Sequence, residues 1–457
     1  MVPCKKIYFY ITYQNKTGVL RNMLHGSMEV TREGHLSIGG CDVVDLAKRY
    51  KTPLYIFDEE YIREIARLYK NEFEKRYDDV KVLYASKAFL TKAMAALIDQ
   101  EGICFDVCSQ GEMYTVMQAG VSPDKIYYHG NNKTAEELEF ALEAGIARFM
   151  SDNIDELSLL NQIAGEKGKK AHVILRLTPG IEAHTHEYIK TGQIDSKFGV
   201  AISTGDAMRA VKHAFSLDNI VLHGIHCHIG SQIFDLDCFE GAATVMLGFA
   251  KKVKDETGHV FDQLDLGGGL GIKYIEGDAP AAISELAEVI TSSIKKLARE
   301  YEMPIPSLLI EPGRSMIGEA GTTIYTVGCI KNIEGVRKYV SIDGGMTDNP
   351  RVALYQAKYD AVLANKINET PCEVVTIAGH CCESGDILIK DVMLPKIEIG
   401  DILATFSTGA YNYAMASNYN RYTRPAAVLV KDGVSKLIIK RESLEDLVRN
   451  DIIPEDL

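Results

Sequence analysis

Between residues 80 and 150 the apolar and polar positions alternate in blocks with a fixed step. Short β-prone runs begin at Val82, Cys104, Ile126 and Arg148, each 22 residues after the last. Between the runs, Leu90, Met94, Leu97 and Ile98 fall on one helical face. Thr134 followed by Glu137 is a capping-box signature, and Gly145 is placed to stop the same helix. One strand and one helix per step predict βα units and a parallel sheet. The pattern continues at longer intervals through His172–Leu177, His223–His228, Phe261–Leu266 and Leu308–Glu311. Eight such strands, with a flanking helix from about Asp58, span about 260 residues, the size of a (β/α)8 barrel. A doubly wound open sheet is the alternative with the same period.

After about Ser315 the pattern changes. Thr322–Ile330, Lys338–Ile342, Glu373–Ala378, Ile402–Phe406, Ala427–Val430 and Lys436–Ile439 are β-rich, with Asp343-Gly344-Gly345 and Asp432-Gly433 as turns. Helical spacing returns only at Ser443–Arg449. This predicts a C-terminal antiparallel β domain. Met23–Ile38 is strand-like around Glu33-Gly34, so an N-terminal strand is expected to complete that domain. The expected division is an N-terminal extension (1–22), a strand segment joining the β domain (23–50), the barrel (51–315) and the β domain (316–457).

Composition narrows the function classes. The chain has 457 residues, with 50 Lys plus Arg against 63 Asp plus Glu, a net charge of −13. An acidic surface disfavours nucleic acid and anionic membrane as partners. No apolar run approaches the ~18 residues of a membrane-spanning helix. The apolar run Ile7–Ile11 after Lys5 and Lys6 is shorter than the about seven residues of a signal-peptide core. The ten cysteines lack paired zinc spacing, which points to reduced thiols and a cytoplasmic location.

In a barrel the chemistry sits at the carboxyl ends of the strands. The first strand ends in Ser86-Lys87, the second in Asp106 and Ser109, the third in His129 and the fifth near Arg176. The sixth ends in His226-Cys227-His228-Ile229-Gly230-Ser231, the seventh in Gly267-Gly268-Gly269 and the eighth in Glu311-Pro312-Gly313-Arg314. Three glycines let a backbone approach an anion closely, and the loops after strands seven and eight commonly form phosphate cups in barrels. Ser231 can add a hydroxyl. Lys87 lies across the same mouth, where desolvation is expected to lower its pKa and make it a nucleophile toward an aldehyde. An amine facing a phosphate cup points to a phosphate-bearing aldehyde, pyridoxal phosphate. Glu311 is placed to hold a pyridine nitrogen protonated, with an ion pair to Arg314 as the simpler alternative. His226 and His228 are two apart on a strand and share a face. They are suited to cover an aromatic cofactor or, with His129 and Asp106, to bind a metal.

These motifs together resemble the fold-type III pyridoxal-phosphate decarboxylases. Within them the chain is similar to the diaminopimelate decarboxylase branch through Glu182-Ala183-His184-Thr185-His186, Ser196-Lys197-Phe198-Gly199, Asp348-Asn349-Pro350-Arg351, Ala353-Leu354-Tyr355 and Cys382-Glu383-Ser384-Gly385-Asp386. The resemblance covers residues 23–457; Val352 stands where the family often has Pro. It implies that Lys87 holds the cofactor, that His228 stacks on its ring, and that Ser231, Gly268, Gly269, Glu311, Pro312, Gly313 and Arg314 surround ring and phosphate. Tyr411 would close the site. Arg314, Arg351 and Tyr355 would bind the distal carboxylate of the substrate and Glu383 its distal ammonium. Cys382 would return a proton after carbon dioxide leaves. Cys382 and Glu383 would come from the partner subunit, which implies a homodimer with shared active sites and no metal.

The reaction so implied is decarboxylation of meso-2,6-diaminopimelate to L-lysine and carbon dioxide, the last step of lysine biosynthesis. A charge-assisted contact is worth roughly 1.5–3 kcal/mol, enough to reject a substrate without the distal head group. Decarboxylases of ornithine, arginine or carboxynorspermidine are the nearer alternatives, and the Arg351–Glu383 pair disfavours them. An amino-acid racemase would place a cation where this chain has Glu311. A non-enzymatic cofactor carrier would leave the β domain unexplained.

Overall fold

The computed structural model describes residues 24–181 and 195–457. Eight parallel strands close into a barrel: Val80–Ala85, Cys104–Val107, Ile126–Tyr128, Arg148–Ser151, Ala171–Thr178, Ile220–His226, Gln263–Asp265 and Ser307–Ile310. Closure is complete, because the last strand pairs with the first (Leu309 with Lys81) and the fourth with the fifth (Met150 with Ile174). The open-sheet alternative is therefore excluded. The 22-residue step is one strand, one turn and one short helix. Thr134 and Glu137 form the capping box of helix Ala135–Ala144, and Gly145 ends it in the left-handed conformation, φ 76°.

Alternation along each strand separates two faces. Val82, Tyr84, Phe105, Ile126, Tyr128, Phe149, Val173, Leu175, Leu308 and Ile310 belong to the large cluster beneath the helices. Leu83, Tyr127, Met150, Ile174 and Leu309 form a separate small cluster that fills the barrel floor. The same parity, continued toward the carboxyl ends, sends Lys87, His129, Asp152, Arg176 and Glu311 into the barrel mouth. Asp106, His226 and Asp265 fall on the inward parity of their own strands. The site is thus positioned by period-two geometry above an apolar floor.

The second domain is a mostly antiparallel sheet around the long strand Gly321–Ile333. That strand pairs with Arg337–Ile342, with Ile402–Thr405 and with Leu54–Asp58. Leu54–Asp58 also pairs in parallel with Ala426–Lys431. An N-terminal strand therefore does complete the β domain, but it is Leu54–Asp58, inside the segment assigned to the barrel. Leu54–Phe57 is buried on both faces, so its apolar run shows no alternation to mark its partner sheet. The barrel layer begins with the next helix, Glu59–Glu74. Residues 29–42 form a small three-stranded sheet of their own. It is tied to the β domain by the Leu36 N–H to Ala364 carbonyl bond and by packing of Leu36, Ile38 and Val43 on Ile324, Ala404 and Val428. Strands Ala361–Leu363 and Ile387–Leu394 were not anticipated. The 1–22 extension and the Glu182–His186 motif lie outside the described residues.

Candidate active site

Lys87, His228, Ser231, Gly269, Glu311, Gly313, Arg314 and Tyr411 line one cleft at the barrel mouth. Gly268 and Pro312 stand directly behind it. A Cβ on Gly268 would lie 2.1 Å from the Glu311 carbonyl oxygen, so only glycine allows the two loops to meet there. The Pro312 carbonyl accepts the Ala85 N–H at 3.1 Å, joining the eighth-strand loop to the first strand. Gly269 has φ 120°, and a Cβ there would lie 2.5 Å from the Gly230 carbonyl.

Lys87 Nζ lies 3.6 Å from Asp106 Oδ2, with 41% of its side chain still exposed. The expected lowering of its pKa is not found. Desolvation does work in that direction, but the charges of Asp106, Cys108, Tyr411 and Glu311 outweigh it and raise the pKa. The amine is held as a cation by its carboxylate neighbour.

Glu311 does not pair with Arg314. Its Oε1 is 2.9 Å from His129 Nε2 and its Oε2 is 3.4 Å from His226 Nε2. Desolvation opposes the charge on Glu311, yet the two imidazoles outweigh it and hold its pKa well below the usual range. Oε1 is buried without an aligned hydrogen-bond donor, so this carboxylate can accept one more. His129, His226 and Glu311 bring ligand atoms within 4.8 Å of one another. This is the His226 and His129 half of the metal alternative, joined by Glu311 and without His228. His228 is instead in the cleft wall, kept neutral by desolvation and by the positive charges of Lys87 and Arg176, and its Nδ1 accepts the Gly268 N–H at 3.4 Å.

Arg314 is occupied elsewhere. Its Nε and Nη2 donate to Ser231 Oγ at 3.0 and 2.9 Å, and its Nη1 donates to Tyr274 Oη at 2.6 Å. Its guanidinium also lies 4.8 Å from the Tyr411 ring centroid. Tyr411 has a left-handed backbone, φ 61°, and its N–H bonds the Ala88 carbonyl at 2.8 Å, next to Lys87. Arg351 is buried, with its guanidinium 4.6 Å from the Tyr274 ring and one amine on Tyr359 Oη. Tyr274 therefore links Arg314 to Arg351. Nothing in the sequence singled it out, since it stands alone in a loop. Tyr355 closes the short helix Arg351–Tyr355.

Cys382 and Glu383 sit on an exposed turn and are not among the cleft residues. The neighbouring Cys381 is buried. Among the described residues no ion pair joins Arg351 to Glu383 within one chain; the groups around Arg351 are tyrosines.

The residues present fit pyridoxal phosphate on three counts: a glycine cradle that a Cβ would fill, an amine at the rim, and a buried carboxylate with an unused acceptor. Residues 61–318 match the family described as pyridoxal-dependent decarboxylase, pyridoxal binding domain. A diaminopimelate decarboxylase from Halalkalibacterium halodurans is 50% identical over 428 residues, 94% of this chain and 98% of that protein. The Bacillus subtilis diaminopimelate decarboxylase is 49% identical over 429 residues, again 94% and 98% of the two chains. This chain belongs to the diaminopimelate decarboxylase family. The solved diaminopimelate decarboxylase from M. jannaschii, in complex with L-lysine, superposes with a TM-score of 0.89 at 37% identity, covering 94% of this chain and 99% of that one. Membership in this family accounts for the convergence of Lys87, His228 and Glu311 on one mouth. His129, Asp106 and Asp265, all inward and buried, are further polar groups to which the decarboxylase motifs assign no role.

Proposed function

We infer that the chain catalyses pyridoxal-phosphate-dependent decarboxylation of meso-2,6-diaminopimelate to L-lysine and carbon dioxide, the closing step of lysine biosynthesis. The observation that carries this reading is the pairing of a rim amine, Lys87, with a buried anionic carboxylate, Glu311, across a glycine cradle. Pyridoxal phosphate, when bound, supplies a sink for the electron pair left behind as carbon dioxide departs.

Lys87 would hold the cofactor's aldehyde carbon. The Gly268–Gly269 and Pro312–Arg314 loops, with Ser231 and Tyr411, would hold its phosphate. Glu311 would hold the ring nitrogen and His228 the ring face. Asp106 keeps Lys87 charged, so it is also the group nearest to take its proton. At the far end, Arg314, Arg351 and Tyr355 would bind the distal carboxylate. Arg351 is desolvated, yet the surrounding tyrosines keep its pKa above the ordinary arginine value, so its charge is permanent. A desolvated cation of this kind favours a carboxylate and disfavours an ammonium tail.

The reading includes a homodimer in which Cys382 and Glu383 enter the partner's cleft, Glu383 binding the distal ammonium and Cys382 delivering a proton to the former α-carbon. Support comes from their exposure and from the aromatic surface beside them. The Cys382 N–H is held by Asn420 Oδ1 at 2.8 Å, and Tyr419 and Tyr422 on the same loop are 43% and 36% exposed. A cytoplasmic location is proposed from the nine described cysteines, all free, and no described helix is long and apolar enough to cross a membrane.

The test is carbon dioxide release from meso-diaminopimelate, ornithine, arginine and carboxynorspermidine in parallel. Turnover of the first alone is expected; turnover of ornithine without diaminopimelate contradicts the reading. Chelator is expected to leave the rate unchanged, whereas a metal-dependent hydrolase would lose it.

A further inference from the structure

A buried carboxylate ordinarily takes up a proton, because desolvation penalises its charge. Glu311 is 5% exposed and sits among other carboxyl groups, so the environment should neutralise it twice over. What opposes this is an arrangement of one imidazole per oxygen. His129 Nε2 meets Oε1 at 2.9 Å and His226 Nε2 meets Oε2 at 3.4 Å. The two rings cross edge to face, 80° apart, with centroids 5.1 Å from each other. His129 follows the third strand and His226 ends the sixth, so the carboxylate at the end of the eighth is approached from two separate walls of the barrel. Both imidazoles are themselves buried, at 4% and 0% exposure. Neither His129 Nε2 nor His226 Nε2 makes an aligned hydrogen bond to another group; the second carboxylate near them is Asp106, whose Oδ1 lies 3.6 Å from His129 Nε2, farther than Glu311.

We propose that His129 and His226 are positioning residues for Glu311: together they fix the plane of its carboxylate and keep it anionic, ready for the cofactor's ring nitrogen. This rests on the reading that Glu311 is the partner of that nitrogen. The titratable groups facing Glu311 from the packed elements are Lys87, Cys108, His129, His226, Cys227, His228 and Asp265, with Asp106 and Arg176 beside them. Of the carboxyls among them, Asp265 behaves as the proton holder. Burial and the Glu311 charge raise its pKa well above the usual range, while its Oδ1 still accepts the Gly267 N–H at 2.8 Å. Desolvation lowers the His226 pKa to about 4 despite Glu311, so at neutral pH it faces the carboxylate as a neutral imidazole rather than as a counter-ion, its Nε2 3.4 Å from Oε2. The two buried carboxyls are thus driven in opposite directions, Asp265 toward its protonated form and Glu311 toward its charged form.

The test uses the full-length protein and four variants: Glu311→Gln, His129→Leu, His129→Gln and His226→Leu. Three quantities are read: the dissociation constant of pyridoxal phosphate from the cofactor-free protein, the pH dependence of the bound cofactor's absorption band, and kcat against KM. His129→Leu is expected to lower kcat at least tenfold with little change in KM and to shift the pH profile of the band. His129→Gln, which keeps an N–H at a similar reach, is expected to recover most of both. His226→Leu should shift the band in the same sense. Glu311→Gln calibrates the scale. If it lowers kcat and moves the band while neither histidine-to-leucine change does, the positioning proposal is overturned and the role of Glu311 stands. If Glu311→Gln itself changes nothing, the underlying reading fails. Equal loss in His129→Gln and His129→Leu, in proteins with the native melting temperature, also overturns the proposal.

Discussion

At the scale of single residues, Lys87 answers two opposed demands. In the proposed role it must be an amine that reacts with an aldehyde, yet it stands 3.6 Å from a buried carboxylate that holds it protonated. On the proposed reading Asp106 would resolve this by being both counter-charge and proton acceptor. Replacing Asp106 with Ala removes the counter-charge and leaves the desolvation, so cofactor uptake by the cofactor-free protein should shift its pH dependence to lower pH. A spectrophotometric titration across pH 6–9 checks this. Arg351 gives a second case. Loss of one charge-assisted contact of roughly 1.5–3 kcal/mol predicts that Arg351→Ala raises KM for diaminopimelate about 10- to 150-fold, with a smaller change in kcat. Cys382→Ala should retain the cofactor and slow turnover by about 10²-fold, the usual scale of a lost proton donor. An unchanged rate would remove that role from Cys382.

At the scale of elements, the barrel strands were legible because each alternates and because apolar floor residues fix the parity. Once Tyr127 and Leu309 point inward, His129 and Glu311 must do so too. The glycine triplet was legible for the same reason: it follows the inward Asp265 and occupies the loop opposite Lys87. Three features escaped this reading. Leu54–Asp58 is buried on both faces and gives no alternation, so its membership in the second sheet was hidden. The clamp on Glu311 unites strands three, six and eight, and no local spacing encodes a contact between residues 129, 226 and 311. The raised pKa of Lys87 depends on the distance to Asp106, which only the barrel's closure sets. The cradle itself is testable. Gly268→Ala places a Cβ 2.1 Å from a backbone oxygen, and the strain of overpacking, about 1–3 kcal/mol, should loosen pyridoxal phosphate by roughly 5- to 150-fold without unfolding the barrel. Equilibrium binding to the cofactor-free variant measures it.

At the scale of the molecule, the chain passes through the β domain at Leu54–Asp58, winds the barrel and returns, so the second sheet is complete only with a strand that precedes the barrel. Asp348 sits at the centre of the β domain beneath this crossing. It accepts Tyr325 Oη at 2.7 Å and the Gly345 N–H at 2.9 Å, and burial raises its pKa to about 7. A carboxyl raised in the folded state binds a proton that the unfolded chain releases near pH 4, so its contribution falls as pH rises from about 4 to 7 and stays unfavourable above. Asp348→Asn is therefore expected to raise the melting temperature at pH 8 and to change it little at pH 5. A thermal scan at both values decides it. The proposed sharing of sites between subunits makes a further demand: mixing Lys87→Ala with Cys382→Ala subunits should restore part of the activity that each lacks alone. The most direct test of the central claim is borohydride reduction of the protein loaded with pyridoxal phosphate, followed by peptide mass mapping. The account predicts one stable pyridoxyl adduct per chain, on Lys87, with the visible band lost; an adduct on another lysine, or none, would contradict it.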